Sequence, residues 1–268
     1  MQTELIQLRT GITIEYSLIG PKDAPSIIFV HGLGPNLHQF EPQGDFFSQQ
    51  YQVILISLRG HGRSSMPDHP AIKDFSVEQL AADIKALLFD LGIQKVHFVG
   101  NSLGGLVGYE MLRSDKEMIT SLTTFGTTAE LHTSSTAVWF LTSLTKILGP
   151  KNLGKMAGVS TKDKAVAGQI SEMFSIANKD AIWMIQRNIS NYDYTPVLAG
   201  RTLPVLLIKG QLDNEINAQL GSTLDVLHRN PKFQLRELDG VGHFVNLEKT
   251  QTFNQILLDF LTKVEAYQ

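Results

Sequence analysis

Five short apolar runs recur along this chain, at Ser26–Val30, Gln52–Ser57, Val96–Val99, Leu122–Phe125 and Val205–Ile208. Each is rich in Val, Ile, Leu or Phe, and none alternates with polar residues. An uninterrupted apolar strand has both faces buried, which requires a sheet covered on both sides. Amphipathic helical patterns lie between the runs. Ser76 with Gln79 three residues on forms a capping box, and Leu80, Ile84, Leu87, Leu88 and Leu91 make one stripe that Gly92 ends. Phe253, Ile256, Leu257, Phe260, Leu261 and Val264 repeat that spacing near the C-terminus. Strands alternating with such helices predict an α/β fold with a mostly parallel central sheet. A more alternating run at Phe233–Leu238 adds a strand, and Glu4–Arg9 with Ile12–Leu18 reads as a hairpin turning at Thr10-Gly11.

Between about Thr127 and Thr195 the pattern changes. Helical stretches at Val138–Leu148, Lys162–Ala177 and Lys179–Ile189 follow one another, punctuated by Gly149-Pro150 and Gly158, and no strand is predicted among them. The expected organisation is a core of residues 1–126 and 196–268 carrying a helical insertion at 127–195. A length of 268 residues, 43% of them hydrophobic and 18% charged, suffices for such a core.

The absence of cysteine excludes disulfides, thiolate zinc sites and cysteine nucleophiles. A net charge of −3 with scattered Lys and Arg predicts no nucleic-acid partner and no membrane partner. The N-terminal residues lack a basic start and an apolar core, so the expected location is cytoplasmic.

One turn carries most of the chemical information. Gly100-Asn101-Ser102-Leu103-Gly104-Gly105 follows the run Val96–Val99 and opens a helical segment. A serine between two glycines at a strand-to-helix turn is pushed out at the sheet edge, above a helix N-terminus whose N–H groups suit a developing oxyanion. Serine is a poor nucleophile at neutral pH and needs a base. Asp213 lies in the loop after Val205–Ile208, and His243 in the loop after Phe233–Leu238. The expected catalytic residues are therefore Ser102, Asp213 and His243, one at each of three strand ends. Glu215, two residues beyond Asp213, is the competing acid.

The motifs HGLG at 31–34, LRGHGRS at 58–64, GNSLGG at 100–105, GQLD at 210–213 and GVGHFVNLE at 240–248 together resemble the α/β-hydrolase superfamily. The resemblance is to the branch holding small carboxylesterases, haloperoxidase-like esterases and carbon–carbon bond hydrolases. It implies an oxyanion hole from the backbone N–H groups of Leu33 and Leu103, and it implies that the insertion caps the active site. It implies no cofactor and no metal. His31 is expected to shape its loop through hydrogen bonds, and the glycine-rich turn at 59–64 to be structural. Many relatives carry an aspartate where Ser57 stands, which puts a local ion pair in question.

The expected activity is hydrolysis of a carboxylic ester of a small to medium, fairly apolar substrate through an acyl-enzyme. Two alternatives stand beside it. Carbon–carbon hydrolases resemble the chain at Asn101 but usually have Trp after the catalytic histidine, where Phe244 stands here, and use a cap arginine, for which Arg187 is the candidate. A ligand sensor that retains its triad is the other. Trp139, Trp183, Met184, Arg187 and Phe244 are the candidate pocket residues, although the apolar runs at 138–141 and 147–148 are expected to pack in the core rather than contact substrate. The expected partner is a small-molecule ester, and the sequence leaves monomer and homo-oligomer equally open.

Overall fold

The computed structural model describes residues 1–266. The chain runs β1 (Glu4–Gln7), β2 (Thr13–Ile19), β3 (Ser26–Val30), α1 (Glu41–Phe47), β4 (Gln52–Ser57), α2 (Val77–Asp90), β5 (Val96–Asn101), α3 (Leu103–Ser114) and β6 (Ile119–Phe125). Next come β7 (Glu130–His132), α4 (Ser135–Gly158), α5 (Lys164–Ser175), α6 (Lys179–Asn188), β8 (Asn191–Asp193) and α7 (Thr195–Leu198). The chain closes with β9 (Val205–Gly210), α8 (Asn214–Asn217), α9 (Gly221–Leu227), β10 (Phe233–Leu238), α10 (Val245–Glu248) and α11 (Thr250–Glu265). Eight strands form one sheet in the order β1-β2-β4-β3-β5-β6-β9-β10. The β1–β2 and β2–β4 pairs are antiparallel and the rest are parallel.

Strand side chains divide alternately between two apolar layers. Ile28, Val30, Ile54, Ile56 and Phe98 pack with Leu80 and Ile84 of α2 and Leu106 of α3. Ile27, Phe29, Val53, Leu55 and Val99 pack with Phe47 of α1 and Phe253 and Leu257 of α11. This division is why the runs are apolar without alternation. Ser76 caps α2 by accepting a hydrogen bond from Gln79 N. Among the described residues no helix is long and apolar enough to cross a membrane.

The helical insertion between β6 and β9 differs from expectation in two respects. Two three-residue strands, β7 and β8, pair antiparallel at its base, where no strand was expected. Three residues are too few to display a period. The second difference is in α4, which is kinked at Gly149 (φ 70°) ahead of Pro150. Its buried positions are Thr142, Thr145, Gly154 and Gly158, while Trp139, Phe140 and Ile147 face outward. The expectation that the runs at 138–141 and 147–148 pack inward fails for Trp139, Phe140, Leu141 and Ile147. The reason is how α4 docks. Gly154 lies against Ser171 and Phe174 of α5, Gly158 lies against Ala167, and Thr145 donates to Gln186 of α6 at 2.6 Å. Small residues allow the backbones to approach, and this fixes which face of α4 turns out.

The turn at 59–64 is structural. Arg59 forms a two-pronged ion pair with Asp83 of α2, both bonds 2.6 Å, with both residues fully buried. Arg63 N and Nε donate to Glu15, and Ser57 Oγ donates to the same carboxylate at 2.9 Å. The local ion pair therefore exists, with its acid supplied by Glu15 on the neighbouring strand β2. Removing one member of a buried pair strands the other charge. Asp83→Ala is expected to cost about 3–5 kcal/mol, read as a fall in the denaturant midpoint. A loss below 1 kcal/mol would contradict the role assigned to this pair.

Candidate active site

The site lies at the C-terminal edge of the parallel strands. Ser102 closes the turn between β5 and α3 with φ 51° and ψ −115°, the one non-glycine residue with positive φ among those described. A side chain in such a conformation costs about 1–3 kcal/mol. The turn is tight enough that a Cβ on Gly100 would strike Gly104, and one on Gly104 would strike the Val30 carbonyl. Both glycines are thus required for α3 to start directly above β3 and β5.

His243 Nδ1–H donates to Asp213 Oδ2 at 2.8 Å, with the imidazole 22% and the carboxylate 10% exposed. This bond fixes the tautomer and leaves Nε2 as an acceptor. Asp213, not Glu215, is the acid brought to the imidazole; Glu215 is exposed. The two loops are laced together: Leu212 N donates to Val241 O and Gly240 N to Gln211 Oε1, while Gly242 N donates to the Glu248 carboxylate within the histidine loop. Gly126, after β6, has φ 61° and lies against both the His243 ring and Asn101 Nδ2. A side chain there would separate the imidazole from the elbow. No hydrogen bond joins Ser102 Oγ to His243 among the described residues.

Leu33 N and Leu103 N have no hydrogen-bond partner among the described residues. Gly32 sits against the Ser102 Cβ. Two histidines shape this loop. His31 Nδ1–H donates to Gly32 O, and its Nε2 accepts from Leu58 N at 2.9 Å. His61 Nδ1–H donates to Arg59 O, and its Nε2 accepts from Gly34 N at 3.1 Å. Both rings act as acceptors only while neutral. Burial holds His31 well below the usual imidazole range and lowers His61 to about 4. The unfolded chain therefore takes up protons below about pH 6.5 that the folded chain refuses. Stability is expected to fall as pH drops from about 6.5 to 4, by up to about 1.4 kcal/mol per pH unit for each such histidine. Denaturant melts across that range should show a shallower acid slope in His61→Gln than in the parent.

A buried amide network, not anticipated from the sequence, ties the loops to the elbow. Gln39 Nε2 donates to Asn101 Oδ1 at 2.9 Å, and Asn101 Nδ2 donates to Phe125 O and to His243 O. Asn246 Nδ2 donates to Gln39 O and Gln43 Oε1, and Gln43 Nε2 donates to Asn254 Oδ1. Asn101 was visible as the residue before the serine; its partners stand 62, 24 and 142 positions away and left no local pattern.

The pocket candidates are dispersed. Trp139 is 71% exposed. Trp183 is half-buried, donates to Asp180 and lies under the Lys146 ammonium. Met184 is buried in the layer shared with α2 and α3, and Arg187 is exposed. Phe244 alone sits beside the His243–Asp213 contact, edge-on to the His243 ring, and packs with Val166, Ile170, Met173 and Phe174 of α5. Phe174 also lies against Gly34. It spans the HGLG loop and the histidine loop, and sequence reasoning missed it. Among the described residues no cluster of three or more His, Asp or Glu side chains could hold a metal ion.

This fold is that of α/β-hydrolase structures, and the alpha/beta hydrolase fold family matches residues 25–147. The 3-oxoadipate enol-lactonase 2 of Acinetobacter baylyi is 27% identical over 255 residues, 91% of each chain. A 2-hydroxy-6-oxononadienedioate/2-hydroxy-6-oxononatrienedioate hydrolase from Pseudomonas is 25% identical and covers 88% of each. Among solved structures, an enol-lactonase from Burkholderia xenovorans superposes with a TM-score of 0.83 at 25% identity, over 97% of this chain and all of the other. The chain is a hydrolase of this fold.

Proposed function

We propose that the protein is a serine hydrolase cleaving a carboxylic ester or lactone whose acyl part is fairly apolar. The reading is carried by the 2.8 Å His243–Asp213 bond set beside a serine at a strained elbow. Ser102 Oγ attacks the carbonyl carbon while His243 Nε2 takes its proton, and Asp213 stabilises the imidazolium that forms. The N–H groups of Leu33 and Leu103 receive the oxyanion. The imidazolium then protonates the leaving alkoxide, and water activated by His243 releases the acid from the acyl-enzyme. A lactone is an internal ester and follows the same steps, with its leaving group retained on the acyl chain.

Residues 127–195 act as the cap in this reading, and the α5 cluster against Phe244 forms an apolar wall. Arg59 and Arg63 are engaged by Asp83 and Glu15, and Arg187 is exposed, which favours an uncharged acyl group over a dicarboxylate. The carbon–carbon reading loses its cap arginine on the same ground. The test is turnover of aryl esters of graded chain length beside a simple lactone and a dienoate. Multiple turnovers on esters or lactones are expected. Turnover of the dienoate alone, or a single acylation without turnover, would favour the alternatives.

Phe174 should set chain-length preference. Phe174→Ala is expected to change relative kcat/KM between neighbouring acyl lengths by about 1–3 kcal/mol, whereas Trp139→Ala leaves the ratios unchanged. Equal loss on all esters with a lower Tm would make Phe174 a packing residue only.

A further inference from the structure

The outward face of α4 has a chemistry that the hydrolytic site does not use. Trp139, Phe140 and Ile147 are 71%, 61% and 80% exposed, and Met156 and Val159 are exposed further along. Scattered exposed apolar residues are ordinary, but a tryptophan, a phenylalanine and an isoleucine on one helix face are not. Charge around them is equally uneven. From Leu131 to Lys162 the chain has four lysines, Lys146, Lys151, Lys155 and Lys162, and no carboxylate, while the whole chain is −3. All four lysines are exposed. Lys146 sits over the Trp183 ring, whose indole N–H donates to Asp180. Chain-wide charge conceals this segregation, which is why composition suggested no membrane partner.

We infer that the outer face of α4 docks on an anionic phospholipid surface, with Trp139, Phe140 and Ile147 entering the headgroup boundary and the lysines pairing with lipid phosphates. Exposed aromatic and aliphatic side chains on a helix whose only charged residues are lysines match the two attractions that hold a peripheral helix at such a surface. A second copy of this chain fits less well, because a two-fold contact would bring the lysine-rich stretch against itself. The docking is independent of which bond the enzyme cleaves, since none of these residues belongs to the proposed catalytic machinery.

The chain has two tryptophans, so Trp183→Phe leaves Trp139 as the sole reporter. Full-length Trp183→Phe protein is titrated with vesicles of phosphatidylcholine alone and of phosphatidylcholine with phosphatidylglycerol, at low and high salt. A blue shift of Trp139 emission and co-sedimentation are expected with the anionic vesicles at low salt. The Lys146→Gln/Lys151→Gln/Lys155→Gln variant should need about a hundredfold more lipid. Phe140→Ser/Ile147→Ser should abolish the blue shift while ester or lactone turnover in solution is unchanged. Equal binding to neutral vesicles, no binding to either, or a concentration-dependent blue shift and larger particle size without lipid would each overturn the assignment. The last would identify self-association.

Discussion

Ser102→Ala is expected to lower kcat/KM for a short aryl ester by about five to six orders of magnitude and to abolish labelling by a fluorophosphonate. The oxyanion N–H groups and the pocket remain, so a small residual rate above the uncatalysed reaction should survive. Folding should not suffer, because Ser102 makes no side-chain cap hydrogen bond to α3. The backbone at φ 51° adds a second expectation. Ser102→Gly removes strain of about 1–3 kcal/mol, against the entropic cost of a new glycine, about 0.5–1 kcal/mol. Strain relief is the larger, so the glycine variant should be inactive with a Tm equal to or above the parent's. Retained labelling in Ser102→Ala would remove Ser102 from the mechanism proposed here, and a glycine variant that melts well below the parent would contradict the strain assigned to this backbone.

Asp213→Asn should lower kcat by about 10⁴ with little change in KM. The asparagine can present its amide N–H to His243 Nδ1, so the ring proton moves to Nε2 and the base facing Ser102 is lost. Size and shape are kept, and the loop contacts from Leu212 to Val241 and from Gln211 to Gly240 do not involve the carboxylate. The exposed Glu215→Gln should behave as the parent. If Glu215→Gln were inactive and Asp213→Asn active, the acid would lie two residues further on and the 2.8 Å contact would not describe the working enzyme.

What could be read in advance follows from the range of the interactions. Strands buried on both faces leave a dense local record, and β3 and β4 occupy the ranges their apolar runs indicate. The elbow was legible because steric crowding between Gly100, Gly104 and Val30 permits only glycine at two fixed positions. Asp213 and His243 were legible as strand-end loop residues, although the bond between them spans 30 positions. The amide network was not, because Gln39 meets Asn246 across 207 positions and an isolated glutamine carries no period. Nor was the orientation of α4. Thr142, Thr145, Gly154 and Gly158 face inward because α5 and α6 approach closely there, so hydrophobicity alone indicated the wrong face. Glu15 illustrates the same point on a smaller scale: an acid in an alternating strand looks solvent-facing until Ser57 and Arg63 are seen to hold it.

The pairing of β7 with β8 bears on how such a chain could change over evolutionary time. Glu130 is opposite Asp193, and Tyr194 N donates to Ala129 O at 2.7 Å, so the insertion departs and returns at one point. Loop-closure entropy grows only slowly with length, and here the ends are joined before the sheet is reached. The register of β6 with β9, Leu122 opposite Val205, is thereby insulated from whatever lies between. A foreign helical segment spliced at this clasp would leave the loops bearing Ser102, Asp213 and His243 on unaltered strands. New substrate scope could then arise by exchanging one module while the reaction chemistry is inherited intact.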